Sequence, residues 1–303
     1  MAVSNFSGLT INNPQVGIQI TKVTDTSADW PSVANDTYFY DKANKLTYYK
    51  NAGGIIIDPF ELPMSSSEIF RGFTFTFNST TVVTDGGLTA SASASTLAPG
   101  VAATNFASKQ IRLRYYASVV STGRYTGLRG STMIWFIHGG FRFVCDFSIS
   151  DTAFSATCQQ FYGMAGSTAD LGYGGVSLVQ VSTLTNLIGV GSDAADTNLQ
   201  IIHNDATGTA TKIDLGAAFP ANRTAGAAMT TMYSVMLYNA PAAANVIYRV
   251  TNNETGAIAQ GVITTDLPAT SQGLNLFASR AMGAAVTNTG QFDLSKLGCY
   301  SLL

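Results

Sequence analysis

The stretch from Met133 to Cys145, Met-Ile-Trp-Phe-Ile-His-Gly-Gly-Phe-Arg-Phe-Val-Cys, constrains the fold more than any other part of the chain. From Phe141 onward, Phe141, Phe143, Cys145 and Phe147 alternate with Arg142, Val144 and Asp146. A period of two places one set on the face of a β-strand that meets an apolar core. Met133–His138 reads as a second strand, and Gly139-Gly140 between them as a tight turn. Glycine takes positive φ without steric cost, which such a turn requires. The expectation is a hairpin at the centre of a large β-domain.

Strand signals recur along the chain at short spacing. They cover Arg71–Phe77, Ile111–Tyr116, Phe154–Tyr162, Gly175–Leu187, Leu199–His203, Thr211–Leu215 and Met232–Leu237. Val246–Val250 and Ala257–Thr264 flank the polar turn Thr251–Gly256, and Leu274–Phe277 and Phe292–Leu297 follow. No window of a dozen residues carries a 3.6-residue period. Many short strands separated by Gly, Asn and Asp turns predict an all-β protein, a large antiparallel β-sandwich of jelly-roll type. Thr84–Ser108 is rich in Ala, Ser, Thr and Gly. It reads as a long surface loop in preference to small-residue strands.

Residues 1–64 differ in texture. Val16–Val23 alternates like a strand, Thr37–Tyr40 and Leu46–Tyr49 read as a hairpin, and Ile55–Ile57 is a short apolar run. Tyr38, Tyr40, Tyr48 and Tyr49 crowd a segment too short for a large core of its own. The expected organisation is an N-terminal attachment and oligomerisation region, 1–64, followed by the sandwich, 65–303.

Composition narrows the classes. Only 11% of residues are charged, net charge is −2, and 46% are hydrophobic. No global field favours nucleic acid or an acidic membrane. Between Gly86 and Val144 every charged residue is basic: Lys109, Arg112, Arg114, Arg124, Arg129 and Arg142. That run is either a patch for anionic glycans or an acidic subunit, or strand residues whose partners lie elsewhere in the chain. Three cysteines, Cys145, Cys158 and Cys299, have neither zinc spacing nor an even count, which fits folding in a reducing cytoplasm. The N-terminus lacks the basic and apolar regions of a signal peptide, and no apolar run is long enough to span a bilayer.

Candidate chemistry is sparse. Gly191–Asn198 is acid-rich, and Asp193, Asp196, Asn198 and Asp205 would hold Ca²⁺ if two loops converged, but the EF-hand spacing is absent. Asp and Asn in turns more often cap their own backbone. Two histidines, His138 and His203, and no Gly-x-Ser-x-Gly elbow leave no catalytic constellation, so no enzyme is expected. Were the chain a depolymerase, Asp146, Asp196 and His203 would be its candidates. Tyr115, Tyr116, Tyr125, Trp135, Tyr162 and Tyr173 gather around the arginine-bearing segment. Sugar sites combine an aromatic face with Arg, Asp or Asn, although most buried aromatics are core. The site candidates are therefore Tyr125, Arg129 and His138 at the turn side of the hairpin, with Asp193 and Asp196 as alternatives.

Two stretches resemble the C-terminal heads of bacteriophage tail-fibre and receptor-binding virion proteins. One is Thr126–Ser131 with Gly139–Phe147 and Phe161–Met164. The other is Thr185–Asp205 continuing into Thr211–Gly216, Phe219-Pro220 and Tyr233–Tyr238. The resemblance implies a virion protein made in the bacterial cytoplasm, a homotrimer whose N-terminal end docks on other particle proteins. Its C-terminal β-sandwich head, lectin-like in general form, would contact host surface polysaccharide, with no nucleic acid, no membrane insertion and no catalysis. Little room remains between residues 64 and 109 for a shaft, which favours a short fibre, a tail tip or a capsid-attached fibre. A decoration or adaptor protein with a purely structural role is the alternative.

Overall fold

The structure is a computed structural model describing residues 20–24, 27–35, 37–42, 46–50, 56–57, 71–75, 88–90, 94–97, 99–117, 125–130, 135–136, 139–151, 157–171, 179–222, 231–240, 243–282 and 290–301. The chain divides into two compact units, Met1–Ile69 and Phe70–Leu303.

In the first unit, β1 (Ile20–Thr24), β2 (Thr37–Asp41), β3 (Leu46–Lys50) and β4 (Ile56–Ile57) form one sheet in that order. The expected hairpin is β2–β3, antiparallel from Thr37↔Lys50 to Asp41↔Leu46. A 3₁₀ turn, Ser27–Ser32, lays Trp30 against Phe39 and Tyr48, with ring centroids 6.1 and 4.8 Å away. Those rings, with Val33 and Ile56, are buried within the unit itself, while Tyr38 and Tyr40 stay partly exposed. Two buried charged groups beside them, Asp41 and Lys50, are paired. Trp30 Nε1 donates to the buried Asp41 carboxylate. Lys50 Nζ donates to the carbonyls of Val33 and Pro31 at 2.8 and 3.2 Å. Desolvation therefore leaves neither polar group unpaired.

The second unit is an antiparallel sandwich, as the strand spacing predicted. Its strands are β5 (Arg71–Phe75), β6 (Leu88–Ala90), β7 (Ala94–Leu97), β8 (Leu113–Ala117), β9 (Tyr125–Gly130), β10 (Trp135–Phe136), β11 (Phe141–Ile149) and β12 (Gln159–Ala165). They continue as β13 (Leu187–Ser192), β14 (Gln200–Asn204), β15 (Thr211–Asp214), β16 (Tyr233–Asn239), β17 (Val246–Asn252), β18 (Ile258–Ile263), β19 (Gly273–Ala281) and β20 (Gln291–Ser301). One sheet runs β18-β17-β16-β11-β20-β8-β7, with β5 also on β20. The other runs β15-β14-β13-β12-β19-β9-β6, with β10 also on β19.

The alternation in β11 holds: Phe141, Phe143, Cys145 and Phe147 are buried, while Arg142, Val144 and Asp146 are partly exposed on the other face. These residues meet Tyr162, Met164, Ile188, Val190, Ile201, Leu274 and Leu276 of the facing sheet in one core. Phe147 stacks on Tyr162 at 3.6 Å, and Tyr162 meets Phe292 edge-on at 5.6 Å. Burial pushes the Cys145 thiol well above its usual pKa, so it behaves there as an apolar side chain.

Three sequence expectations are corrected. Trp135-Phe136 does not pair with β11. It pairs with Leu274 and Gly273 of β19, in the opposite sheet. Gly139-Gly140, with Gly140 at φ 71°, thus lies between strands of different sheets and closes no hairpin. Turn chemistry marks where a chain can bend, and long-range packing decides which strand it joins. Within Thr84–Ser108 the small-residue strands prevail: β6 and β7 lie at the edges of the two sheets, and Phe106–Lys109 is a helical turn capped by Asn105. Finally, the described part of Gly175–Leu187 is a 3₁₀ turn, Val181–Thr183, and a strand begins only at Leu187. Where described, the other predicted strands are present, shifted by a few residues. The β17–β18 hairpin has the expected turn, with Gly256 at φ 74°. Among the described residues no helix is long and apolar enough to cross a membrane.

Candidate functional site

Period two sends Tyr125, Gly127 and Arg129 of β9 to the face opposite Leu128, which lies in the inter-sheet core. The same holds for Phe161 on β12 and Phe277 on β19. This outer face has its own apolar cluster: Phe161, Ala165, Leu187, Ile202 and Phe277, packed against Leu171, Val181 and Ala210. Leu171 and Val181 belong to the connection between β12 and β13, which therefore covers the sheet.

Glycines make the close approach possible. A Cβ on Gly163 would lie 2.4 Å from the Ile188 carbonyl, and one on Gly189 would lie 2.7 Å from the Phe161 ring. The tip of the Phe161 ring thus comes down on a floor of Gly163 and Gly189 where a Cβ would collide with it. Tyr125 repeats the device, its ring set 2.6–2.7 Å from where a Gly127 Cβ would be.

Polar ties anchor the cover. Asn275 Nδ2 donates to the Ser167 carbonyl at 3.2 Å and Gln159 Nε2 to the Val179 carbonyl at 2.9 Å. Asp193 accepts from the Ser182 amide at 3.1 Å, and the Gln180 side chain accepts from the Ala194 amide at 2.8 Å. On the β9 side, Arg129 Nε donates to Asp170 Oδ1 at 2.8 Å. The two side chains retain 23% and 21% exposure, so this pair faces solvent beside a face that is otherwise buried. The Tyr125 hydroxyl lies among Ser279, the Leu171 backbone, Asp170 and Arg129. Burial, then Asp170, pushes its pKa up, so it stays a neutral phenol.

Of the candidates, Tyr125 and Arg129 are therefore brought together, and Asp170 joins them unforeseen. Tyr125 is buried under the cover and supports the pair without reaching the surface. Asp193 and Asp196 form a second cluster. Lys212 Nζ reaches Asp193 at 3.3 Å and both oxygens of Asp196 at 2.6 and 2.7 Å. Burial opposes the lysine's charge, but Asp196 and Asp193 outweigh it and hold its pKa above the ordinary value. A lysine ammonium thus stands where a bound cation was considered. Asn198 donates to Asp214 instead, and Asp205 caps Thr207. Among the described residues no group of three His, Cys, Asp or Glu side chains is arranged to hold a metal. His138 lies outside the described residues.

The arginine run resolves toward internal partners. The buried Asp293 accepts from Arg112 Nε at 2.8 Å and Arg114 Nε at 2.7 Å. The depolymerase candidates hold separate partners: Asp146 faces Lys296 at 3.5 Å, Asp196 holds Lys212, and buried His203 sets Nδ1 2.9 Å from the Asp266 carbonyl.

Asp266 itself sits at φ 52° and accepts from the amides of Asp205 and Thr211, each at 3.0 Å. Burial would raise its pKa, but the Thr211 hydrogen bonds, the Asp205 amide and His203 together lower it. A carboxyl whose folded pKa lies below its unfolded one stabilises the fold above the unfolded pKa. That contribution disappears as pH falls through the folded value. Asp266→Asn retains the tolerance for left-handed backbone, so it is expected to lower the denaturant midpoint at pH 7. The difference from the parent protein should vanish at a pH below the folded pKa of Asp266, which itself lies below the ordinary aspartate value. Denaturation series at the two pH values check this.

No family model and no curated protein sequence matches this chain. Among solved structures it is similar to a protein of unknown function from Shewanella oneidensis MR-1, with TM-score 0.51 and 10% identity over 79% of this chain and 90% of that one. Lectin II from Ulex europaeus aligns at TM-score 0.49 and 13% identity over 77% and 99% of the two chains. A conserved carbohydrate esterase from Shiga toxin-encoding bacteriophage phi24B aligns at 0.39 and 13% over 72% and 91%. At such identities the Shewanella likeness is one of fold, a large antiparallel β-sandwich.

Proposed function

We propose that this chain is a virion attachment protein whose sandwich binds a host-surface glycan through Arg129 and Asp170, without catalysis and without a metal. The observation that carries the proposal is that partly exposed pair on the outer face of the second sheet. Arg129 uses only Nε on Asp170, and both terminal nitrogens remain free among the described residues. Asp170 keeps a second carboxylate oxygen. A donor fork beside an acceptor matches adjacent sugar hydroxyls, each of which donates and accepts. Tyr125 and Phe161, locked on glycine, hold the pair in place from below.

The resemblance of residues 110–300 to phage receptor-binding heads supports placing this site on a particle, with 1–64 as the docking region and three chains per fibre. The compact first unit, with its own aromatic core, suits that role. Arg129→Ala and Asp170→Asn are each expected to weaken binding to host envelope polysaccharide about 10- to 100-fold, as for losing a hydrogen bond to a charged group. Thermal unfolding should change little, because the pair is partly exposed. Unchanged binding in both variants would refute the assignment.

A purely structural, cementing role is favoured by one observation. Leu97, Val101 and Ile111 are 47%, 63% and 51% exposed, close together in sequence around the β7–β8 connection. A cement protein would bind particles and no polysaccharide, and Arg129→Ala would leave particle binding intact.

A further inference from the structure

The two long sheets end differently. β15, an edge of the second sheet, has four residues, two of them charged: Lys212, tied to Asp193 and Asp196, and Asp214, tied to Asn198. Edge strands guarded by charge resist further pairing. β18, an edge of the first sheet, has no such guard. Its six residues, Ile-Ala-Gln-Gly-Val-Ile, pair one to one with β17 from Ile258↔Thr251 to Ile263↔Val246, without a bulge. None is charged and none is proline, and Ile258 to Val262 remain partly exposed. Gly261, the weak point of such a strand, is covered by the Tyr248 ring, 2.7–2.9 Å from where its Cβ would be, which keeps the edge straight. Among the described residues no strand pairs with the free side of β18.

We propose that β18 is an association surface, and that its occupant is β18 of a second copy, paired antiparallel about a two-fold axis. A row of unpaired backbone donors and acceptors calls for another strand. A partner strand must match this one in length and must place no charge against it. β18 meets both conditions for itself. Ile258, Gln260 and Val262 share the face away from the core, since Ala259 and Ile263 face inward. An axis through Gln260 sets Ile258 against Val262 and Gln260 against its own copy, so every opposed pair shares a face and no like charges meet. The contact is isologous, so it joins chains two at a time: two chains, or two trimers if the particle state is three-fold. Two six-residue edges bury less than the roughly 1,200–2,000 Å² of a stable interface, so the pairing is concentration-dependent. Pairing doubles the number of glycan sites in each assembly, which would bind a repetitive surface with avidity.

Sedimentation of the full chain from low to high micromolar concentration tests this. The expected mass rises by a factor of two, to two chains from one or to six from three. Gln260→Glu sets like charges together at the axis, and Val262→Lys places an ammonium on the edge twice per interface. Each is expected to shift the midpoint of association about tenfold upward, with unfolding of the dilute protein unchanged as the folding control. A parent protein of constant mass, or association that neither substitution alters, would overturn the proposal.

Discussion

Arg280→Leu is expected to be the most destabilising substitution in the sandwich. Arg280 is fully buried on β19, and its guanidinium gathers groups from three other parts of the chain. Nε donates to both oxygens of Asp151, just after β11, at 3.0 and 3.1 Å, and one terminal nitrogen also donates to that carboxylate. The other terminal nitrogen donates to Gln160 Oε1 at 3.0 Å, while the nitrogen that meets Asp151 also donates to Asn222 Oδ1 at 2.8 Å. Asp151 in turn accepts from the Gln291 amide at 2.7 Å, and Gln160 Nε2 donates to the Ala221 carbonyl at 2.7 Å. Leucine fills part of the volume but leaves Asp151 buried without its counter-charge. Breaking a buried pair on one side costs about 3–5 kcal/mol, which lowers Tm by on the order of 10 °C for a domain this size. Calorimetry of the variant checks it. The double variant Arg280→Leu with Asp151→Leu should recover much of the loss, because it removes the orphaned charge as well as its partner. A single variant as stable as the parent would mean that the pair does not hold this end of the core.

Phe161→Ala is expected to follow closely, by a different mechanism. The ring is buried between the glycine floor and the β12–β13 connection, and no smaller side chain fills the space above Gly163 and Gly189. Truncating a buried phenylalanine to alanine costs about 3–5 kcal/mol. Phe161→Leu, which keeps most of the volume, should cost clearly less. The consequence reaches the proposed site. Asp170 rides on the segment that Phe161 supports through Leu171, so polysaccharide binding should fall in Phe161→Ala while Arg129 itself is untouched. Binding measured well below the variant's unfolding temperature separates that loss from global unfolding.

How much of this was legible beforehand depended on the range of each interaction. The β11 alternation was readable because each of its side chains answers to one face and one core. Tyr125 and Arg129 stood out only as an aromatic and an arginine in one segment, and it is the strand β9 that sets them on one face, two positions either side of Gly127. Asp170 was not readable as their partner, since it arrives from 41 residues away across a covering segment. Gly139-Gly140 misled for the same reason. Its local chemistry permits a hairpin, but β19, far along the chain, offers Trp135 and Phe136 a better berth. In Thr84–Ser108 the cue itself was missing, because Ala, Ser and Thr do not alternate in hydropathy even where they form strands. Arg280 drew no notice in the sequence, and only the fold sets it beside Asp151.

The order in which the strands are laid down has a kinetic consequence. β20 lies between β11 on one side and β8 and β5 on the other, and β19 lies between β12 on one side and β9 and β10 on the other. The two strands that bridge the halves of both sheets are thus the last two of the sandwich to leave the ribosome. Until they emerge, β8 and β9 have no inner neighbour to zip onto, and Phe147 and Tyr162 lack Phe292 above them. Closure must wait for contacts between residues 110 or more positions apart, from Ala165↔Asn275 to Arg71↔Ser301, the slow kind of folding in which loop entropy is spent before any pairing is gained. Nascent chains of this protein should therefore need protection from one another until Ser301 has cleared the exit tunnel.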